Sequence, residues 1–210
     1  LSKLAGKVEN MIVASADLSG SDKTAGFLKG TTALRKGDVS GAFLQVGVSE
    51  LTMAAVSNGM ALHGGVIPVC GTFFVFSDYM KPAVRLAALM ELPVKYIWSH
   101  DSFRVGEDGP THQPIEQEAQ IRLLEKLKNH SGHDSFLALR PADAAETVRG
   151  WNMALDNKEK PTGLILSRQK VKDLPGKEQD RFQEAKKAEQ GAYVVYESER
   201  GNPDIILVGN

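Results

Sequence analysis

One cysteine, Cys70, is all that the 210 residues contain. That excludes a disulfide framework and is compatible with a reducing compartment. No run reaches the roughly 18 uninterrupted apolar residues that a membrane helix needs. The first residues lack the charged-then-apolar pattern of a signal peptide. Charge of one sign is lacking too: 25 Lys and Arg stand against 26 Asp and Glu, for a formal net charge of −1. Such balance argues against a dedicated nucleic-acid binder. Neither G-x-x-x-x-G-K-[ST] nor G-x-G-x-x-G occurs, so the two common glycine-rich phosphate cradles are excluded. There is no internal repeat and no low-complexity tract.

What is present is a regular alternation. Hydrophobic residues make up 42% of the chain, enough for a substantial core. Strands are expected at 11–15, 42–46, 66–69, 93–98, 136–139 and 162–166. Between them lie amphipathic segments. Residues 50–63 carry Met53, Val56 and Met60 at helical spacing. Residues 79–92 offer Val84, Leu86, Ala88 and Leu89 as an apolar face, and 115–129 offer Ile121, Leu124 and Leu127. Asp143 caps a further helix, with Glu146 completing a capping box. Strand and helix in alternation imply an α/β fold, a mostly parallel sheet with helices on both faces. In such sheets ligands bind beyond the carboxyl ends of the strands. Those ends run into residues 15–17, 47–50, 71–73, 99–101 and 167–168, so polar groups and glycines gather on one edge.

From about residue 172 to 190 charged side chains dominate, as in a solvated linker or exposed helix. Residues 192–196 and 204–208 read as opening strands of a separate unit. Leu1 in place of an initiator Met, and a strand with nothing after it, lead to the expectation that both ends are cut.

Several segments could carry chemistry. Residues 106–114 pack two acids, two glycines, two prolines and a histidine into nine positions, a composition foreign to helix interiors and central strands. A rigid polar loop of this kind is either a surface turn or a functional loop. Glu50 opens a helix after a glycine-containing turn, where the helix dipole alone would favour an acid. Phe73, Phe76 and Tyr79 are spaced by three, so one helical turn could present them together. His130 and His133 have ligand-like spacing but sit in a polar turn without cysteines, which favours a solvated loop over a metal site. Ser99, His100 and Asp101 are triad residue types, but adjacent residues cannot form a triad.

Five separated motifs, at 47–50, 71–79, 100–102, 106–114 and 166–169, resemble in order and spacing the pyrimidine-binding (Pyr) domain of transketolase. The resemblance covers about residues 5–175, and the tail is similar to the start of that family's C-terminal domain. It implies a three-layer α/β/α thiamine diphosphate-binding Pyr fold. It also implies a division into a Pyr domain (1–175), a charged linker (176–190) and a truncated start of the C-terminal domain (191–210).

Position by position, Glu50 matches the glutamate that hydrogen-bonds ring nitrogen N1′ of thiamine diphosphate. A carboxyl group shielded from water is suited to sharing a proton with a ring nitrogen. Phe73, Phe76 and Tyr79 match the aromatic pocket of the aminopyrimidine, and Asp17 an acid on the thiazolium side. His100, Asp108 and His112 match residues of the substrate channel, with His100 and His112 as candidate catalytic groups and Asp108 contacting sugar hydroxyls. Ser21 and Arg168 match positions that bind a sugar phosphate; an arginine fork suits phosphate oxygens better than lysine does.

The sequence departs from the family at Leu51, where His is common, and at Phe103 and Arg104, where small or aliphatic residues are usual. The family's Gly-Asp-Gly motif and downstream Asn, which hold a divalent metal (Mg or Ca) and the diphosphate, have no counterpart. No residue of this chain is expected to ligate metal. The resemblance therefore implies a cytoplasmic ketol-transferring module that is inactive alone. Its partner would be a diphosphate-binding domain or subunit, and it would dimerise through the Pyr region with helix 50–63 as the candidate face. The alternatives are a module of deoxyxylulose phosphate synthase or of a 2-oxoacid dehydrogenase β-subunit, or a non-catalytic interaction module of the same fold.

Overall fold

The computed structural model describes residues 1–176, 180–198, 201 and 203–209. Six strands, β1 (Met11–Ser15), β2 (Phe43–Gln45), β3 (Ile67–Phe73), β4 (Lys95–Ser99), β5 (Leu137–Leu139) and β6 (Thr162–Ile165), form one sheet in the order β2-β1-β3-β4-β6-β5. Every pairing is parallel. The expected α/β architecture is thus the observed one. The strand order turns back between β1 and β3, the kind of switch point at which open parallel sheets bind ligands. Register aligns the carboxyl ends there: Ser15 lies beside Gly71, Gly71 beside Ile97, and Phe73 beside Ser99.

The central strands read as continuous apolar runs because both sheet faces are covered. On one face, α2 (Glu50–His63), α3 (Ser77–Leu89) and α4 (Gln117–Lys126) enclose Met53, Phe74, Met80, Val84, Tyr96, Trp98, Ile121 and Phe136. Tyr96, Trp98 and Phe136 stack with centroids 5.4 and 6.0 Å apart. The polar ends of the first two are satisfied, by Asn58 Oδ1 at 3.3 Å from Tyr96 and by Met80 Sδ at 3.2 Å from Trp98. On the other face, α1 (Ala25–Leu28) and α5 (Ala144–Asp156) contribute to a cluster with Met11, Val13, Phe27, Phe43, Val69 and Ile97.

Helix α5 begins as its sequence predicts: Asp143 Oδ1 accepts from the Glu146 N–H at 2.8 Å. The return bond differs by one position, with Glu146 Oε2 accepting from the Ala142 N–H.

Three expected helix faces need correction. On α2 the buried positions are Glu50, Met53, Ala54, Ser57 and Asn58, so Val56 points outward, 40% exposed. On α3, Met80, Ala83, Val84, Ala87 and Ala88 are buried, while Leu86 and Leu89 stay about half exposed. On α4, Ile121 is buried and Leu124 packs at the core edge, but Leu127 is exposed past the helix end. On α2 and α3 alanines beside Met53, Met80 and Val84 fill the buried apolar positions, and Val56, Leu86 and Leu89 are left outside.

The tail also departs from expectation. Residues 192–196 and the described residues 204–209 form no strand. A strand requires a hydrogen-bonded neighbour, and Ile205, Ile206, Leu207 and Val208 are all at least three-quarters exposed. Nor is the charged stretch simply solvated. Helix α6 (Arg181–Glu184) and the 3₁₀ turns Ala185–Gln190 dock on α5, burying Glu184 and Ala185 completely. Residues 177–179 of that stretch, and 199, 200, 202 and 210 of the tail, lie outside the described residues. The lone Cys70 is buried on β3, where its thiol meets Ser57 Oγ at 2.9 Å and burial pushes it up to about 12. Among the described residues no helix is long and apolar enough to cross a membrane.

Candidate active site

The carboxyl edge of the sheet holds the loops that carry the predicted residues. Among the described residues, four of the five non-glycine residues with positive φ, Asp17, Lys23, His100 and Arg104, lie in these loops. Left-handed backbone costs free energy at such residues and persists only where the surroundings enforce it.

The loop after β1 is held by a buried acid that motif reasoning missed. Asp22 Oδ2 accepts from Ser15 Oγ at 2.6 Å, and Asp22 Oδ1 accepts from Thr24 N–H and Thr24 Oγ1 at 2.9 and 2.6 Å. This clamp leans on Gly71 of β3: a Cβ there would fall 2.3 Å from Thr24 Cγ2. Asp17 and Ser21, both exposed, ride on the clamped loop. Among the described residues, no side-chain hydrogen bond or ion pair joins either of them to the other candidates. The signal that could have found Asp22 is its spacing from Thr24, since an aspartate accepts readily from the backbone two residues on.

Glu50 occupies the first turn of α2, entered through Gly47 at φ +68°. It is 6% exposed, and the hydrogen bond it receives from Thr72 Oγ1 is long, at 3.4 Å. A buried carboxyl so weakly engaged retains capacity for a stronger partner.

From Thr72 the next residue, Phe73, opens a continuous series of contacts. Phe73 stacks on His100 at 3.7 Å between centroids and on Phe76 at 5.6 Å. Phe76 lies 5.9 Å from Tyr79 and meets His112 edge-on at 5.3 Å. Tyr79 is 64% exposed, so the aromatic row opens outward at that end. The 3₁₀ turn Phe74–Phe76 and the start of α3 supply the spacing that aligns the row.

His100 is buried at φ +61°, with Nδ1 2.9 Å from Ser99 Oγ and Nε2 3.8 Å from Asp108 Oδ2. Burial holds its imidazole below the usual histidine range; Asp108 pulls the other way, while Arg168, Lys23 and His112 reinforce the burial. The ring is therefore neutral at pH 7, able to accept or pass on a proton.

The loop 106–114 is closed by Gln113 Nε2, which donates to the Ser102 carbonyl at 3.0 Å. It consists of two 3₁₀ turns, Gly106–Asp108 and Pro110–His112, joined by Gly109 at φ +77°. Asp108 Oδ2 lies 2.9 Å from Arg168 Nε, close but off the N–H direction, since no aligned hydrogen bond forms there. A second nitrogen of Arg168 reaches Glu107 Oε1 at 2.6 Å. The Glu107 backbone N–H and the Arg168 guanidinium hold that carboxyl below its usual range.

Asp101, also missed as a functional support, is 5% exposed and binds Arg140 Nη2 at 3.1 Å and the Phe103 N–H at 3.1 Å. It fixes the loop in which Arg104 packs over the Phe103 ring at 4.9 Å. Two of the three residues expected to depart from the family's pattern thus contact each other. Contacts run unbroken from Arg168 through Asp108, His100, Phe73 and Phe76 to Tyr79. His112 joins this series, Glu50 flanks it through Thr72, and Asp17 and Ser21 share the edge without touching it. His133, by contrast, pairs with Glu159 at 3.3 Å in an exposed turn outside this series.

A row of aromatic rings with a buried carboxyl at one side and an arginine, acids and a neutral histidine at the other is a divided polar and aromatic site on an α/β Pyr-type fold. The family model described as "Transketolase, pyrimidine binding domain" matches residues 1–173, and the chain belongs to that family. The transketolase of Bacillus subtilis is 45% identical over 210 residues, 100% of this chain and 29% of that protein. Among solved structures, the transketolase of Pichia stipitis in complex with sedoheptulose-7-phosphate superposes with a TM-score of 0.81 at 35% identity, covering 95% of this chain and 28% of that one. A split-gene transketolase, described as an inactive β4 tetramer, superposes at 0.61 with 27% identity, covering 82% of this chain and 50% of that one. The chain therefore spans under a third of the length of the Bacillus subtilis protein.

Proposed function

We propose that this chain supplies the aminopyrimidine half of a thiamine diphosphate site, and one wall of a sugar-phosphate channel, in a transketolase that moves two-carbon ketol units. The observation that carries the reading is Glu50: a buried acid with only a 3.4 Å contact, beside an aromatic row that opens outward. That geometry suits a flat heteroaromatic ring with a basic nitrogen. Thiamine diphosphate, when bound, supplies the carbon nucleophile that takes up the ketol unit. Glu50 would bind and orient the pyrimidine through N1′. Phe73, Phe76 and Tyr79 would line the ring and exclude water, and Asp17 would face the thiazolium side. His100, neutral and braced by Ser99, would hold or move a proton at the substrate hydroxyls, with Asp108 and His112 beside it. Arg168 and Ser21 would take the phosphate.

The diphosphate and a divalent metal, Mg or Ca, would be held by a diphosphate-binding domain or subunit, and the chain alone would be inactive. The family match over residues 1–173 supports placing the Pyr domain boundary near residue 175, with linker and C-terminal start beyond it. The split-gene relative, an inactive tetramer, supports a requirement for a second component. Half-exposed Leu51, Val56, Leu62, Leu86 and Leu89 on α2 and α3 support self-association through these helices in a cytoplasmic enzyme.

The test is reconstitution with a diphosphate-binding partner. Glu50→Gln should lower turnover about 100-fold or more, the scale of general acid–base loss, and weaken cofactor binding followed by protein fluorescence. Unchanged turnover and binding would refute the reading.

A further inference from the structure

Arg168 meets two carboxylates at once. Its Nε faces Asp108 Oδ2 at 2.9 Å and its Nη2 faces Glu107 Oε1 at 2.6 Å. These two nitrogens form one edge of the guanidinium fork, the edge that receives two oxygens of a phosphate in bidentate recognition. We propose that Glu107 is an internal stand-in for the phosphate group, occupying Arg168 until a substrate phosphate displaces it and thereby setting the affinity for phosphorylated sugars. The proposal rests on the reading of Arg168 as the phosphate residue.

The two acids are not equivalent. Asp108 is one-quarter exposed and also faces His100 Nε2, so its place is fixed from two sides. Glu107 is 69% exposed, and beyond Arg168 its partner is its own backbone N–H. Exposed ion pairs of this kind are weak and readily exchanged. Glycines at φ +60° and +77°, Gly106 and Gly109, flank the turn that carries it. Charge gives the reason for displacement. One guanidinium with two carboxylates carries a local charge of −1, which repels an incoming phosphate dianion. Release of Glu107 restores a cation with a single anchored acid.

Inorganic phosphate titrated into the full chain tests this, with binding followed through the Arg168 side-chain N–H resonance and by calorimetry. Glu107→Gln keeps the side-chain size and removes the charge. It should tighten phosphate binding by about threefold or more, the factor expected from an exposed ion pair. Arg168→Gln should lose the binding. If Arg168→Gln loses it but Glu107→Gln leaves the affinity unchanged or weaker, Glu107 is no stand-in and the phosphate role of Arg168 survives. If wild type and Glu107→Gln show no binding that depends on Arg168, both ideas fall. Matching unfolding midpoints of the variants keep a folding defect from imitating either result.

Discussion

Arg168 and Arg181 are each surrounded by acids, yet they are opposites. Arg168 sits on the carboxyl edge with one mostly exposed partner and one anchored partner. Arg181 opens α6, faces α5 and is 12% exposed. It binds Asp143 Oδ2 at 2.8 Å, Glu146 Oε1 at 2.7 Å and Glu184 at 3.4 Å, and the side chains of Asp143 and Glu184 are fully buried. Tyr193 stacks near its guanidinium at 5.6 Å and hydrogen-bonds Glu146. Burial opposes the Arg181 charge, but its contacts with Tyr193, Glu146 and Asp143 outweigh this and raise the group above the ordinary arginine value. Asp143 caps α5 with one oxygen and receives Arg181 and the Leu174 N–H with the other. The same residue type therefore serves as a staple where its acids cannot leave, and in the role proposed for Arg168 as a receptor where one of them can.

The largest effect should come from breaking the staple. Arg181→Ala removes the cation that faces two buried carboxylates, and removal of one member of a buried pair costs about 3–5 kcal/mol. Urea unfolding should show that loss, while phosphate binding at Arg168 stays as in wild type. A loss under about 1 kcal/mol, the scale of an exposed pair, would mean that the tail docks through its apolar contacts instead.

A third cation sharpens the contrast because no acid pairs with it among the described residues. Lys95, at the start of β4, is 1% exposed and donates to the Asn157 carbonyl at 2.6 Å. Burial, with Lys158 adding to it, lowers its ammonium to about 7 from an ordinary 10.5. Below pH 7 both folded and unfolded chains carry the proton, and the folded state bears the full penalty. Between pH 7 and 10.5 the unfolded chain binds more protons, so this group makes stability rise with pH across that window. Lys95→Met should flatten that rise, read from unfolding midpoints at stepped pH. An unchanged profile would assign the slope elsewhere.

The smallest stability effect belongs to the receptor. Arg168→Ala should shift unfolding by less than about 1 kcal/mol, as exposed pairs do, because Glu107 can return to water. A loss as large as that of Arg181→Ala would make the two clusters alike.

Much of this architecture was legible in the sequence. Six apolar runs became six strands, and the Asp143–Glu146 cap and the α2 limits were readable because local hydrogen bonding and periodicity set them. The outward turn of Val56, Leu86 and Leu89 was not, since hydrophobicity does not reveal which positions the sheet can approach closely. At the site, the glycine and proline content of 106–114 showed a rigid loop, and the spacing by three of Phe73, Phe76 and Tyr79 showed an aligned row. The contacts of Asp22, Asp101 and Glu107 were not legible because they depend on partners distant in the chain or on exposure. The docking of residues 180–190 escaped for the same reason: a charged stretch looks solvated until a buried Asp143 is seen to need its arginine.

The left-handed backbone at His100 decides how that residue can be interrogated. Alanine there would remove the imidazole and also force a Cβ-bearing residue, without its stacking on Phe73, to keep φ near +61°. A lost rate would then mix missing chemistry with a relaxed loop. Asparagine visits this conformation far more readily than most residues. His100→Asn is the cleaner instrument, and a comparison of the alanine and asparagine variants would separate what the ring does from what the turn does.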